Sequence, residues 1–162
     1  MSVEIRLART DELDLAGEIT QAAYSAFTSG PADPYVAKLR DAATRAAEAE
    51  LYVAEDGGAL LGNVTWCPRG SAWREISQPD EGEFRMLAVA PGAQGQGVGE
   101  ALARFCLEMS RAAGDRGVVI SSMEQMAAAH RLYRRLGFTR LPERDWSPAP
   151  GVQLIAFELH HG

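Results

Sequence analysis

Residues 83–105 read EFRMLAVAPGAQGQGVGEALARF. An apolar strand-like run ends at Pro91, glycines alternate at Gly95, Gly97 and Gly99, and a helical pattern of apolar residues follows. A strand, a glycine-rich turn and a helix in that order place backbone N–H groups without side chains at the positive end of a helix, the arrangement that holds an anion. Two common phosphate motifs fail on inspection. A dinucleotide fingerprint needs a third glycine three residues after the second, and those places hold Glu100 or Leu102; a P-loop needs Gly-Lys-Ser/Thr, and Gly97 is followed by Val98 and Gly99. A plain turn in which glycine only relieves sterics stays open on these residues alone.

Outward from that stretch the chain reads as alternating elements. Residues 3–8 (VEIRLA) have the period of a strand, and Thr10 with Asp11 and Glu12 begins a helix whose buried face is Leu15, Ile19, Ala22 or Ala23, and Phe27. A second helix starts at Asp33-Pro34 and runs to Glu48 on a stripe of Val36, Leu39, Ala43 and Ala46. Asp56-Gly57-Gly58 joins two strands as a hairpin. Residues 69–82 lack periodicity, and a loop of that length is often functional. After the glycine turn come a helix with Val98, Leu102, Phe105, Met109 and Ala112 on one side, a buried strand (GVVISSM), a helix closed by Gly137, and two last strands, FTRLPER and VQLIAFEL. The order β-α-α-β-β-β-α-β-α-β-β predicts one α/β domain over residues 1–162, with a mixed sheet of about seven strands and helices on both faces.

Composition narrows the function. A net charge of −6 with interspersed signs carries no basic footprint for nucleic acid, and 46% apolar with 23% charged residues is ordinary globular content. The first residues resemble neither a signal sequence nor a membrane span, so a cytoplasmic protein is expected. Cys67 and Cys106 read as small buried hydrophobes, and neither they nor His130, His160 and His161 have metal-ligand spacing, so no metal is expected.

Gln94-Gly95-Gln96-Gly97-Val98-Gly99 resembles the acyl-CoA motif of the GCN5-related N-acetyltransferases (GNAT), Arg/Gln-x-x-Gly-x-Gly/Ala between a strand and a helix. Residues 126–138, MAAAHRLYRRLGF, resemble the family's second landmark, Asn-x-x-Ala-x-x-Leu-Tyr-x-x-x-Gly-Phe, except that Met126 stands where asparagine is common. The element order is also similar, so the resemblance covers nearly the whole chain. It implies acetyl-CoA as co-substrate, no metal, and direct transfer to a primary amine, with a small molecule favoured as acceptor over a protein N-terminus or lysine. It implies that the turn from Gln94 to Gly99 holds the pyrophosphate, that peptide groups of Leu87, Ala88 and Val89 meet the pantetheine, and that Met126 lies beside the CoA arm. Glu83 is the implied base and Tyr133 the implied acid at the sulfur, although Ala129, Leu132, Tyr133 and Leu136 also share a helical core face. Tyr24, Phe27, Tyr35 and Trp146 fall in the implied acceptor region, and the acids Glu75, Asp80 and Glu81 could attract a cation. The resemblance allows a homodimer, for which the apolar VQLIAF run is suited. A non-catalytic acyl-CoA sensor is the rival reading.

Overall fold

In the computed structural model, which describes residues 2–162, eight strands form one mixed sheet with helices on both faces. The strands are β1 (Glu4–Leu7), β2 (Glu50–Asp56), β3 (Ala59–Trp66), β4 (Glu81–Val89), β5 (Gly117–Met123), β6 (Thr139–Arg140), β7 (Trp146–Ala149) and β8 (Val152–His160). The helices are α1 (Leu13–Tyr24), α2 (Pro34–Arg40), α3 (Ala42–Glu48), α4 (Val98–Ala112) and α5 (Ala127–Leu136). The sheet runs β1-β2-β3-β4-β5-β8-β6, and β7 pairs with the other half of the β8 edge that β6 occupies. Among the described residues only β4 and β5 are parallel neighbours.

Three expectations need correction. The first concerns α1, whose α-helical turns begin at Leu13 because Thr10–Glu12 is a 3-10 turn, held by the Glu12 carboxylate accepting from both Arg6 Nη atoms and from the Arg9 N–H. Its buried face is Ala16, Ile19, Thr20 and Tyr24, while Leu15 is 47% exposed. A polar clamp explains the rotation: Thr20 Oγ1 donates to Asn63 Oδ1 at 3.0 Å, and Asn63 Nδ2 donates to the Ala16 carbonyl at 3.0 Å, so the face with the threonine must point at β3.

The second correction is that the second expected helix is two. Asp41 leaves helical geometry and caps α3, its carboxylate accepting from Thr44 N–H and from Thr44 Oγ1. Fully buried Arg45 donates to the carbonyls of Lys38 and Leu39 at 2.9 Å each, filling the C-terminal acceptors of α2 that the break exposes. Of the predicted stripe Leu39 is buried and Val36 and Ala46 are half-buried, but Ala43 is exposed and its place is taken by Ala42 and Arg45. The third correction is at the C-terminus. FTRLPER pairs only through Thr139 and Arg140, and the strand beside β8 that sequence periodicity missed is Trp146–Ala149. β8, which carries the VQLIAF run, is paired on both edges; Ala156 and Phe157 are buried, and Val152, Leu154 and Ile155 are half-buried.

Two apolar layers result. Val64, Trp66, Phe84, Leu102, Cys106, Ile120 and Phe157 pack beneath α4 and α5, while Ile19, Tyr24, Leu39, Trp73, Met86 and Ala88 pack beneath α1 and α2. Among the described residues no helix is long and apolar enough to cross a membrane.

Candidate active site

The site begins where the sheet splits. β4 and β5 pair at Glu81–Gly117, Gly82–Val118 and Glu83–Val119 and then part, although both strands continue. From Phe84 to Val89 the β5-facing peptide groups of β4 have no strand partner among the described residues. β4 is also bulged: the four residues from Arg85 to Ala88 span what three residues from Thr65 to Asn63 span on β3, and Met86 sits at φ 53°, the sole non-glycine residue with positive φ among those described. The bulge breaks the alternation of the strand, so Phe84, Arg85, Met86 and Leu87 in succession line one cleft.

The opposite wall of that cleft is Ser121, Ser122 and Met123 of β5, with Met126, Tyr133 and Leu154; Tyr24 and Tyr35 come from the first helices and Glu75 from the long loop. Of the residues singled out in the sequence, Leu87, Met126, Tyr133, Tyr24 and Tyr35 therefore meet in one place. Ala88 is buried toward α1, and Val89 packs near the start of α4. Phe27 is half-buried in the 3-10 turn after α1, outside the cleft lining. Trp146 stands one layer behind it, donating from Nε1 to Ser121 Oγ at 3.1 Å.

Tyr133 is 6% exposed and packs against Phe84, Phe138 and Phe157 with ring centroids 5.7–6.2 Å away. Burial pushes its phenol above the ordinary value, so it stays protonated, and its hydroxyl has no hydrogen-bond partner among the described residues. The hydroxyl oxygen opens on the cleft. Behind it, His130 Nε2 lies 3.1 Å from Ser122 Oγ and 3.0 Å from the Met123 carbonyl, and burial holds the imidazole below its usual value, hence neutral.

Glu83 does not line the cleft. Its carboxylate is fully buried and accepts four backbone hydrogen bonds: Glu75 N–H to both oxygens at 3.1 Å, and Ile76 and Ser77 N–H to Oε1 at 3.3 and 3.1 Å. It fastens the loop from within. The fastening delivers Glu75 to the cleft, where Oε2 meets Arg85 Nη2 at 3.1 Å. Burial and the neighbouring Glu83 charge raise the Glu75 carboxyl above its ordinary range against the pull of Arg85. The other loop acids face away: Asp80 pairs with Arg116, and Glu81 with Arg116 and Arg144. Glu75 was legible only as a loop acid, and Arg85, Ser121, Ser122, Met123 and Leu154 carried no signal beyond belonging to strands.

At the C-terminal end of β4 the glycine turn lies open. Gln94, Gly95, Gln96 and Gly97 are exposed, Gly95 and Gly97 have φ of 77° and 82°, and a Cβ at either would meet nothing within 4 Å. Backbone conformation, not crowding, requires glycine there. Gly97 is the N-cap of α4, so the N–H groups of Val98, Gly99 and Glu100 face outward as the unsatisfied donors of a fifteen-residue helix. Gly99 adjoins Val89 and Leu132, which ties the turn to the mouth of the split sheet.

A split sheet with an open helix start at one end and a phenol beside the gap defines an α/β protein whose cleft has the shape and the free N–H donors to take an elongated anion. Residues 47–140 match the model of the acetyltransferase (GNAT) domain, and the chain belongs to that family. Mycothiol acetyltransferase of Geodermatophilus obscurus is 36% identical over 109 residues, covering 64% of this chain and 33% of that protein. For the same enzyme from Cellulomonas flavigena the identity is 32% over 144 residues, with coverages of 75% and 40%. This chain thus spans about a third to two fifths of the length of those relatives. N-acetyltransferase family 8 member 2 of Rattus norvegicus is 30% identical over 119 residues, 71% of this chain and 49% of that one. Among solved structures, yncA of Salmonella typhimurium with its cofactor acetyl-CoA superposes at TM-score 0.68 (22% identity, 99% and 94% of the two chains). The ribosomal-protein-S18-alanine N-acetyltransferase of Escherichia coli superposes at 0.69 (21%, 98% and 94%). Both share the fold.

Proposed function

We propose that this protein is an N-acetyltransferase that moves the acetyl group of acetyl-CoA directly to the primary amine of a small molecule. The observation that carries the reading is the parting of β4 from β5 beyond Glu83–Val119, open at one end to the glycine turn and flanked by an unpartnered tyrosine hydroxyl. The family supports it, as does the acetyl-CoA held by the like-folded yncA.

The residues present fit an acyl-CoA. N–H groups of the Gln94–Gly99 turn and the α4 N-terminus would take the pyrophosphate, and the unpaired peptide groups of Phe84–Val89 the pantetheine amides. Gln94 brings no charge, so this end of the site works through dipoles. Bound there, acetyl-CoA supplies an activated acyl group. Transfer forms one C–N bond and breaks one C–S bond; an ammonium acceptor gives up two protons, one ending on sulfur and one in solvent.

Glu75 is the group we assign to take the first proton, in place of the expected Glu83: it reaches the cleft, and its raised carboxyl is a stronger base than an ordinary one. Tyr133 is assigned as donor to the departing sulfur. Its phenol is too weakly acidic to give its proton away outright, so its contribution is a hydrogen bond in a dry setting.

The test is release of CoA thiol by purified protein given acetyl-CoA and a panel of amines, amino acids and short peptides, beside calorimetric binding of acetyl-CoA. Tyr133→Phe should lower kcat by about 100-fold or more while leaving stability within about 0.5 kcal/mol, because the hydroxyl it removes satisfies nothing. Full turnover in Tyr133→Phe would make the tyrosine a packing residue. Binding without turnover on any amine would favour the sensor.

A further inference from the structure

Besides the anion turn, the cleft contains an internal ion pair with no evident structural need. Glu75 and Arg85 meet at 3.1 Å with side-chain exposures of 16% and 12%, both on the cleft lining. The remaining carboxylates nearby are committed elsewhere: Glu83 to three loop N–H groups, Asp41 to the α3 cap, and Glu48 to the Trp73 indole at 3.1 Å. Arg85 is held on its far side, where Nη1 donates to the Trp73 carbonyl at 3.2 Å and the guanidinium lies over the Trp73 ring at 5.2 Å. Lys38 approaches the same ring at 5.7 Å, exposed and in no ion pair among the described residues. Arg85 also lines a second hollow with Lys38, Asp41 and Glu48, where cations and carboxylates are matched.

An acceptor entering here must open that pair. A bare amine would engage Glu75 and leave a largely buried guanidinium uncompensated, which is costly because little water reaches it. A molecule that brings its own anion next to its amine exchanges one ion pair for two. On this basis, and resting on the transferase reading above, we propose that the acceptor is a small aminocarboxylate, a free α-amino acid or close analogue, whose ammonium meets Glu75 and whose carboxylate meets Arg85. The one-carbon spacing of an α-amino acid matches a site whose two charges are in contact, and the planar guanidinium suits a carboxylate bidentately.

The experiment uses the wild-type protein with acetyl-CoA and a set of α-amino acids, each paired with its α-carboxamide and its decarboxylated amine, following CoA thiol release. The expected result is at least one amino acid with kcat/KM about tenfold or more above both partners, although the carboxamide carries the less basic amine and so the larger reactive fraction. Arg85→Gln should collapse that ratio toward one and Arg85→Lys should restore part of it. Amides or plain amines used as well as the acids would overturn the proposal. So would silence across all three series in protein that binds acetyl-CoA by calorimetry and releases CoA thiol with another acceptor such as a short peptide, a result that leaves the transferase reading standing; silence with every acceptor overturns both. If acetyl-CoA itself fails to bind, that reading falls, and calorimetry with the amino acids alone decides this one: saturable binding lost in Arg85→Gln retains the site, and no binding removes it.

Discussion

Replacing Glu83 with glutamine separates two roles that position alone cannot, a base at the cleft and a bolt beneath it. The carboxylate accepts four backbone N–H bonds at 3.1–3.3 Å, three of them on Oε1. Glutamine can offer one oxygen to the three donors, but it then turns an NH2 toward the Glu75 N–H, and the remaining bonds lose their charge assistance. With charged acceptors contributing about 1.5–3 kcal/mol per bond and neutral ones about 0.5–1.5, and allowing for non-additivity, the loss is about 2–4 kcal/mol. For a urea slope of about 2 kcal/mol/M the unfolding midpoint should drop by about 1–2 M. Activity should fall as well, because the loosened loop carries Glu75 and Trp73, yet the shape of the pH–rate profile should persist. Glu75→Gln should do the opposite. The Glu75 carboxyl lies above its ordinary range, so it is protonated at low pH and the rate climbs as pH rises through its raised pKa; glutamine flattens that limb and leaves the midpoint within about 0.5 M. Measured together, urea curves and kcat/KM from pH 5 to 9 decide the matter. If Glu83→Gln loses the limb while unfolding at the wild-type midpoint, Glu83 is the base and the bolt argument is wrong.

Two further outcomes follow from the buried ionisable groups. Cys67 and Cys106 are both fully buried with thiols pushed up by desolvation, Cys67 to about 12, so neither should react with an aromatic disulfide reagent until urea unfolds the chain; rapid native labelling would contradict the packing. Although burial works against its charged form, Glu81 is brought below 4.5 by the hydrogen bond from Arg144, the Gln78 N–H and the Arg144 and Arg116 charges. Its folded value being the lower one, its contribution is complete above about pH 4.5 and lost as pH falls through the folded value. The stability gap between wild type and Glu81→Gln should therefore shrink below pH 4.5, and a gap that widens there would refute the assignment.

What could be read in the sequence was what depends on near neighbours. The Asp56-Gly57-Gly58 hairpin, the Gly97 start of α4, the Gly137 stop of α5 and the buried run of β5 are specified within a few residues of themselves, and each occurs where predicted. Asp41 was readable too, as a cap with Thr44 three residues on, but it was masked by a helical stripe that continued across it. Other features lie outside local reach. The face of α1 is chosen by Asn63, forty-three residues away from Thr20. β7 contains Pro148, which argues against a strand in isolation and is accepted because β7 lies on the outer edge of β8. In the cleft, the landmarks that could be matched were the turn and Tyr133. Glu75 and Arg85 become neighbours only through the Glu83 latch and the bulge, neither of which leaves a periodic trace.

The bulge itself looks like a defect until its geometry is followed. A regular β4 would send Phe84 and Met86 to one face of the sheet and Arg85 and Leu87 to the other. The cleft lies at the edge between the faces, so an alternating strand could give it at most every second side chain. The extra residue against Thr65–Asn63 lets four consecutive residues border the gap, Phe84 from the layer beneath α4 and α5 and Met86 from the layer beneath α1 and α2, while keeping β4 attached to β3 on its far side. Met86 takes the strain, since a left-handed conformation costs a non-glycine residue about 1–2 kcal/mol. Glycine at 86 would remove that cost, but Met86 is only 5% exposed beneath α1 and α2, and burying such a side chain contributes about 1.5–3 kcal/mol. Methionine, unbranched and adaptable, fills the pocket that the kink creates and still accepts the kink. The strain is thus balanced within the residue that bears it, and the same residue fixes where Arg85 points and where the sheet opens.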